Sequence, residues 1–374
     1  MTQGRVLNRS AIMAVGLVVA GLIALLIIFR ETPSEEPNDF DSMNDMLRAQ
    51  KRQVFEPVLP NYPVILPNDF SFNNEYQHGW WQFFANVQDE AGTEYGIQWS
   101  FIRIASHDQP LRGWLSPQVY VSHLVVSSQY GVWKEQRVAR GGIGQAEMTS
   151  QPFRMWIDNW NWRSLGRTPF PGMLTAQTDE FSVQLSASTN GPFVLPGERG
   201  YVAKHDLLPI ASYNIFAPFL NVQGSITLPG DRQIKVDGKA WMSKEWGSGL
   251  LAEGQQGWDW FVVHLDDETT LSVSQYRQNK QLPYWFGTLS SNDGKVINLA
   301  DSDLVITPNA PSLVARGKRV PMSWTIEVPA HNIHLTVSAT NQNLWLPFFV
   351  PYWEGPIKTT GSHKAQGFMQ LIGY

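Results

Sequence analysis

Two stretches of this chain follow the same plan. GWWQFFANVQDEAGTEYGIQWSFIR runs from Gly79 to Arg103, and GWDWFVVHLDDETTLSVSQYR runs from Gly257 to Arg277. Each opens on Gly-Trp, continues through aromatic and apolar residues, bends at an Asp-rich turn and closes on an arginine. Each therefore reads as a β-hairpin. Their starts lie 178 residues apart. Such a repeat predicts two related β domains, with a boundary near residues 195–205, where PGERG (196–200) supplies turn residues.

The alternation inside these stretches sets the fold class. Ile97, Trp99, Phe101 and Arg103 share one face of a strand, while Gln98, Ser100 and Ile102 share the other. Thr325, Glu327 and the run from Leu335 look similar, and helical periodicity is hard to find after residue 60. The 16 Trp, 19 Phe and 11 Tyr suit half-buried pleated surfaces, and 30 Gly with 24 Pro punctuate short strands. A net charge of −5, with no run of Lys and Arg, argues against a nucleic-acid partner. Cysteine is absent, which excludes disulfides, thiolate metal sites and a cysteine nucleophile.

Location is read from the first thirty residues. Ala11–Phe29 carries no charge and is long enough as a helix to span a hydrocarbon layer. Arg5 and Arg9 precede it, and Glu31, Glu35, Glu36, Asp39 and Asp41 follow. The positive-inside rule then predicts a single-pass signal anchor in the cytoplasmic (inner) membrane, with the bulk of the chain on the periplasmic side. A cleaved signal peptide competes, but no small-x-small cleavage site follows the stretch before Arg30. The expected division is residues 1–30 for the cytoplasmic stub and transmembrane helix and 31–60 for an acidic linker with a short helix. Two β domains then occupy 61–200 and 201–374.

Five blocks, in order, resemble the AttH-like and carotenoid 1,2-hydratase-like proteins, often labelled predicted secreted hydrolases. They are LPNDFSFNNEYQHGWWQFF (66–84), KAWMSKEWGSG (239–249), the stretch from Gly257 to Arg277, PMSWTIEVP (321–329) and YWEGPIKTTGSHKAQGFMQLIGY (352–374). The resemblance implies a pair of lipocalin-like antiparallel β-barrels, with a hydratase and transporter-linked exported proteins among the relatives. Where that pattern carries ionisable or polar groups this chain has Phe70, Asn73, Gly79, Gln82, Ser243 and Gln370, with Lys244 at a histidine position and Glu268 at a glycine position. The aromatic frame of Trp80, Trp81, Trp241, Trp246 and Trp260 is kept, together with Glu245 and Asp259.

Glu245 and Asp259 both sit among tryptophans and form the best catalytic pair for acid–base chemistry on an apolar substrate, because desolvation raises a carboxyl pKa. The competing reading is that each accepts N–H bonds or pairs with an arginine such as Arg277. Arg103 and Arg277 would either hold a polar head group or bind main-chain carbonyls. Trp80, Trp81, Trp241, Trp246, Trp260 and Tyr276 are the expected ligand-binding aromatics, since an apolar pocket with a few polar groups suits an apolar molecule. Trp114, Trp133, Trp156, Trp160 and Trp162 read mostly as barrel core. His264 is a lone strand histidine, and His331 and His334 point to opposite faces, so no metal and no cofactor are expected. The leading expectation is a membrane-anchored protein that binds a lipid or other hydrophobic small molecule, serving an ABC-type transporter permease. The alternative is a hydratase, isomerase or hydrolase of an apolar substrate. A third reading has filled barrels acting only as a structural partner.

Overall fold

A computed structural model describes residues 54–374, apart from 110–111, 231, 310–312 and 316–317. The expected transmembrane helix and most of the linker lie outside the described residues. No helix among the described residues is long and apolar enough to cross a membrane.

Strands β1 (His78–Gln88), β2 (Glu94–Ala105), β3 (Gln118–Ser128) and β4 (Gly131–Arg140) form a meander. A second meander comprises β5 (Ala146–Ser150), β6 (Phe153–Ile157), β7 (Trp160–Ser164), β8 (Gly172–Gln177) and β9 (Ser182–Thr189). After the short β10 (Tyr201–Ala203), the long hairpin of β11 (Ala211–Leu228) and β12 (Arg232–Gly247) joins the two, with β12 beside β1 and β11 beside β9.

A second curled sheet repeats that plan. Its meander is β13 (Gln255–His264), β14 (Thr269–Gln278), β15 (Tyr284–Ser291) and β16 (Val296–Leu299). The chain continues through β17 (Val305–Pro308), a separate hairpin of β18 (Leu313–Ala315) and β19 (Lys318–Val320), then β20 (Ser323–Val328) and β21 (Ile333–Ala339). Next come β22 (Trp345–Leu346), β23 (Tyr352–Gly361) and β24 (Gln366–Ile372), the last paired with β13 as β12 is with β1. The fold is therefore all-β, with two curled antiparallel sheets.

The repeated hairpins are β1–β2 and β13–β14, the first hairpin of each sheet. In both, the opening glycine lies directly opposite the closing arginine, Gly79 against Arg103 and Gly257 against Arg277. A Cβ on Gly257 would sit 2.6 Å from Arg277 Nη2 and 2.0 Å from the Ile372 carbonyl oxygen, so the glycine leaves the arginine its place. The sheets change between Gly247 and Gln255, not near 195–205. The turn chemistry at 196–200 is present, with positive φ at Gly197 and Gly200, but the turn leads into β10 and β11 of the first sheet.

Alternation separates three apolar regions. Trp81, Phe83, Ala85 and Val87 point into the first sheet with Trp99, Phe101, Trp162 and Trp246. Phe261, Trp324, Trp353 and Met369 fill the second. The other face of β1 meets the second sheet across a seam, where Phe84, Phe216 and Trp241 pack on Val262 and Phe368. Trp160 and Trp162 are core as expected, whereas Trp114 is 74% exposed.

Candidate functional site

The seam is not filled along its whole length. Beside Trp80 it leaves a cavity of about 310 Å³ lined by both sheets. Trp80 meets Trp258 edge-on, with centroids 6.0 Å apart, and Phe216, Trp260 and Phe286 complete the apolar wall. The period of two places these side chains there: Trp80 and Gln82 leave β1 on the face opposite Trp81 and Phe83, and Trp258 and Trp260 do the same on β13.

Lys204, Glu245 and Tyr276 form a polar cluster on this cavity, and Gln82, Asn214, Ser243, Ser272, Ser274, Thr288 and Gln370 add further polar groups to its lining. The Lys204 ammonium donates to the Glu245 carboxylate and lies 5.3 Å from the centre of the Tyr276 ring. Its side chain is buried, while that of Glu245 keeps 27% exposure. Burial works against the Lys204 charge, but the carboxylate and the Tyr276 hydroxyl outweigh it and hold the ammonium above its ordinary value. Burial also pushes Tyr276 up to about 12. Lys204 and Tyr276 therefore both hold protons at neutral pH.

A second buried carboxyl stands behind the cavity wall. Glu354, on β23, accepts from Gln370 Nε2 at 2.5 Å, and Gln82 Nε2 lies 3.5 Å away. Gln370 in turn accepts from the Trp258 indole at 2.8 Å. These partners are uncharged, and burial pushes the Glu354 carboxyl up to about 8. Nearby, His123 of β3 meets the Tyr352 hydroxyl at 2.7 Å across the seam, and burial pulls its imidazole down to about 3.

The interior of the first sheet is built differently. Lys244 donates to the carbonyls of Asp69 at 2.6 Å and Ser71 at 2.8 Å and to the Asn73 side chain, with its ammonium 4.3 Å from the Trp246 ring centre. Burial pulls that ammonium down to about 7. Arg103 donates to the carbonyls of Asn73 at 3.0 Å and Tyr76, and its guanidinium lies 4.8 Å from the Phe72 ring centre. The free space here is only about 20 Å³.

Of the residues expected from sequence, Glu245, Trp80, Trp260 and Tyr276 line the seam cavity. Trp81, Trp246 and Arg103 belong to the first sheet's interior and Trp241 to the packed seam. Asp259 does not meet Glu245. It leaves β13 on the face opposite Trp260, where Arg277, Gln275 and Tyr374 donate to it, and Arg277 also donates to the Ile372 carbonyl. The alternation that carries Trp258 and Trp260 into the seam carries Asp259 away from it. His264 is a packed strand residue bonded to the Pro218 carbonyl at 2.8 Å. Sequence reasoning missed Lys204, Trp258 and Glu354. Trp258 and Glu354 stood inside quoted blocks, and Lys204 is a lone cation in the YVAKHD run.

The family model described as AttH-like matches residues 57–374. No curated protein matches. Solved structures that share the fold include the following two. A candidate AttH from Nitrosomonas europaea superposes with a TM-score of 0.77 at 24% identity, covering 86% of this chain and 99% of that one. Kievitone hydratase from Nectria haematococca superposes with a TM-score of 0.63 at 13% identity, covering 87% of this chain and 98% of that one. With its family blocks, its paired curled sheets and a model match across nearly all the described residues, the chain belongs to the AttH-like family.

Proposed function

We propose that this protein binds a small, largely apolar molecule carrying a hydroxyl or carbonyl group in the cavity between its two sheets. The observation that carries this reading is a cavity of about 310 Å³ with an aromatic wall, on which Lys204, Glu245 and Tyr276 stand together. That size stands at the small end of the range for ligand pockets. Sheet interiors packed with side chains favour the seam over either sheet interior as the ligand's place. The Ala11–Phe29 stretch with its flanking charges supports an anchored protein whose folded body lies outside the cytoplasm.

The test uses 8-anilinonaphthalene-1-sulfonate as an aromatic probe. Its fluorescence should rise on the full chain in detergent, and Ser274→Phe, which fills the cavity, should remove most of the rise. Equal enhancement in Ser274→Phe would sink the placement.

A second reading is favoured by the convergence of a carboxylate with two protonated groups on the same cavity. Hydration of a carbon–carbon double bond adds a proton to one carbon and hydroxide to the other. Glu245 as the carboxylic acid would give the proton to carbon and as the carboxylate take one from the attacking water, while Lys204 and Tyr276 orient the oxygen being added. A fold neighbour that is a hydratase supports this reading at the level of fold. Turnover of an isoprenoid alkene in ¹⁸O water would incorporate the label and lose it in Glu245→Gln. Full incorporation by Glu245→Gln would end this reading.

A further inference from the structure

A cluster of exposed apolar side chains gathers at one end of the molecule. Strands β1 and β13 run side by side in the same sense. Trp80 meets Trp258 near their starts, and the Asn86 side chain reaches the Gly367 carbonyl, opposite Val263, near their ends. The loops at the starting end therefore come together from both sheets. Trp114 (74% exposed) and Leu115 (73%) lie between β2 and β3, Leu207 (84%) between β10 and β11, and Leu282 (88%) between β14 and β15. Leu59, Tyr62 and Ile65 are exposed on the segment that leads to β1. The His205 ring lies 5.3 Å from the Tyr284 ring, joining the Leu207 and Leu282 loops.

The opposite end is of another kind. Among the turns at 89–93, 129–130, 265–268, 292–295 and 362–365, only Tyr130 is a large exposed apolar residue, and Leu165 beside Asp237 and Gly238 is the other one toward this end. Those turns carry Asp89, Glu90, Asp266, Asp267, Glu268, Asp293 and Lys364 instead.

We infer that the apolar rim of Trp114, Leu115, Leu207 and Leu282 rests in the interfacial layer of a lipid bilayer. The occupant is identified by where the chain arrives. The segment from Val54 packs at this same end, where Ser248 Oγ donates to the Glu56 carbonyl at 2.6 Å and the Leu59 N–H donates to the Tyr213 hydroxyl at 2.9 Å. Only Arg30–Gln53 separates that segment from the charge-free Ala11–Phe29 stretch. A tryptophan with leucines, flanked by Arg112, Arg140 and Lys280, is the chemistry of the headgroup boundary, where aromatic rings sit and long cations extend to water. Asp108, Asp206 and Glu253 balance those cations, so apolar insertion rather than surface charge drives the contact, and salt should change it little.

The absence of cysteine makes the test direct. Trp114→Cys, Leu207→Cys, Leu282→Cys and Tyr130→Cys, each labelled with an NBD fluorophore, are prepared in the full chain in phosphatidylethanolamine–phosphatidylglycerol vesicles. Brominated lipid should quench positions 114, 207 and 282 several-fold more than position 130, at low and high salt alike. Equal quenching at all four positions would overturn the inference. So would labels at 114, 207 and 282 that are blue-shifted but unquenched, since they would then face protein.

Discussion

Two buried lysines, Lys244 on β12 and Lys204 just after β10, have opposite surroundings. Lys244 points into the first sheet, where carbonyl oxygens of the 69–73 segment receive its protons and almost no free space remains. Lys204 lies at the seam, where a carboxylate receives its proton beside a cavity of about 310 Å³. Carbonyl dipoles do not offset the desolvation of an ammonium, so Lys244 falls to about 7, whereas the Glu245 charge holds Lys204 up. The first arrangement fastens a loop over the sheet interior. The second leaves a charged, proton-holding group facing empty space, which is what a ligand site needs.

The sharpest way to break this comparison is to exchange tryptophans across it. Trp246→Ala, in the sheet interior, should cost about 3–5 kcal/mol in urea unfolding. Trp260→Ala should instead weaken probe binding roughly tenfold at a smaller stability cost. Similar behaviour of the two variants would mean that interior and seam are not distinct.

Next in size is the pH response of Glu354. Its carboxyl is raised from 4.5 to about 8, so the folded protein holds a proton that the unfolded chain has lost. Stability therefore falls as pH rises from about 4.5 through 8, by an amount on the order of 4 kcal/mol. Glu354→Gln should remove that fall, as read from urea midpoints at pH 5 and 9. A pH slope unchanged by the substitution would contradict an uncompensated carboxyl at the seam.

Lys204→Met should cost about 2–3 kcal/mol, because it strands Glu245 beside the cavity, partly relieved by that carboxylate's access to solvent. Probe binding should fall with it. Adding Glu245→Leu should restore stability without restoring binding, and recovery of both would sink the assignment of Lys204 and Glu245 to the ligand site.

Lys244→Met should have the smallest effect, about 1–2 kcal/mol at pH 7 from lost hydrogen bonds, with binding intact. Because the folded ammonium is lowered, wild-type stability gained from this group rises with pH between about 7 and 10.5. The variant's deficit should therefore widen over that range, and a deficit that narrows would reverse the assigned sign.

Much of the architecture was legible in the chain. The repeated Gly-Trp hairpins became the first hairpin of each sheet, and period-two alternation placed Ile97, Trp99 and Phe101 on the one face of β2 that packs into the sheet interior. The sheet change was misplaced because a turn motif does not say which sheet its flanking strands join. That is decided by the pairing of β12 with β1, a contact between residues distant in sequence. The site was half legible for the same reason. Glu245 and Trp260, picked out by local composition, both line the seam cavity, but Asp259 stands next to Trp260 and so had to face the other way. Lys204 and Glu354 acquire their roles only from residues distant in sequence, Glu245 for the first and Gln82 for the second.

The central claim, that the seam and not a sheet interior holds the ligand, is tested most directly by native mass spectrometry of the full chain purified gently from membranes. A stoichiometric extra mass should appear on wild type and on Lys244→Met and be lost from Ser274→Phe. Retention of that mass by Ser274→Phe, or its loss from Lys244→Met alone, would contradict the account.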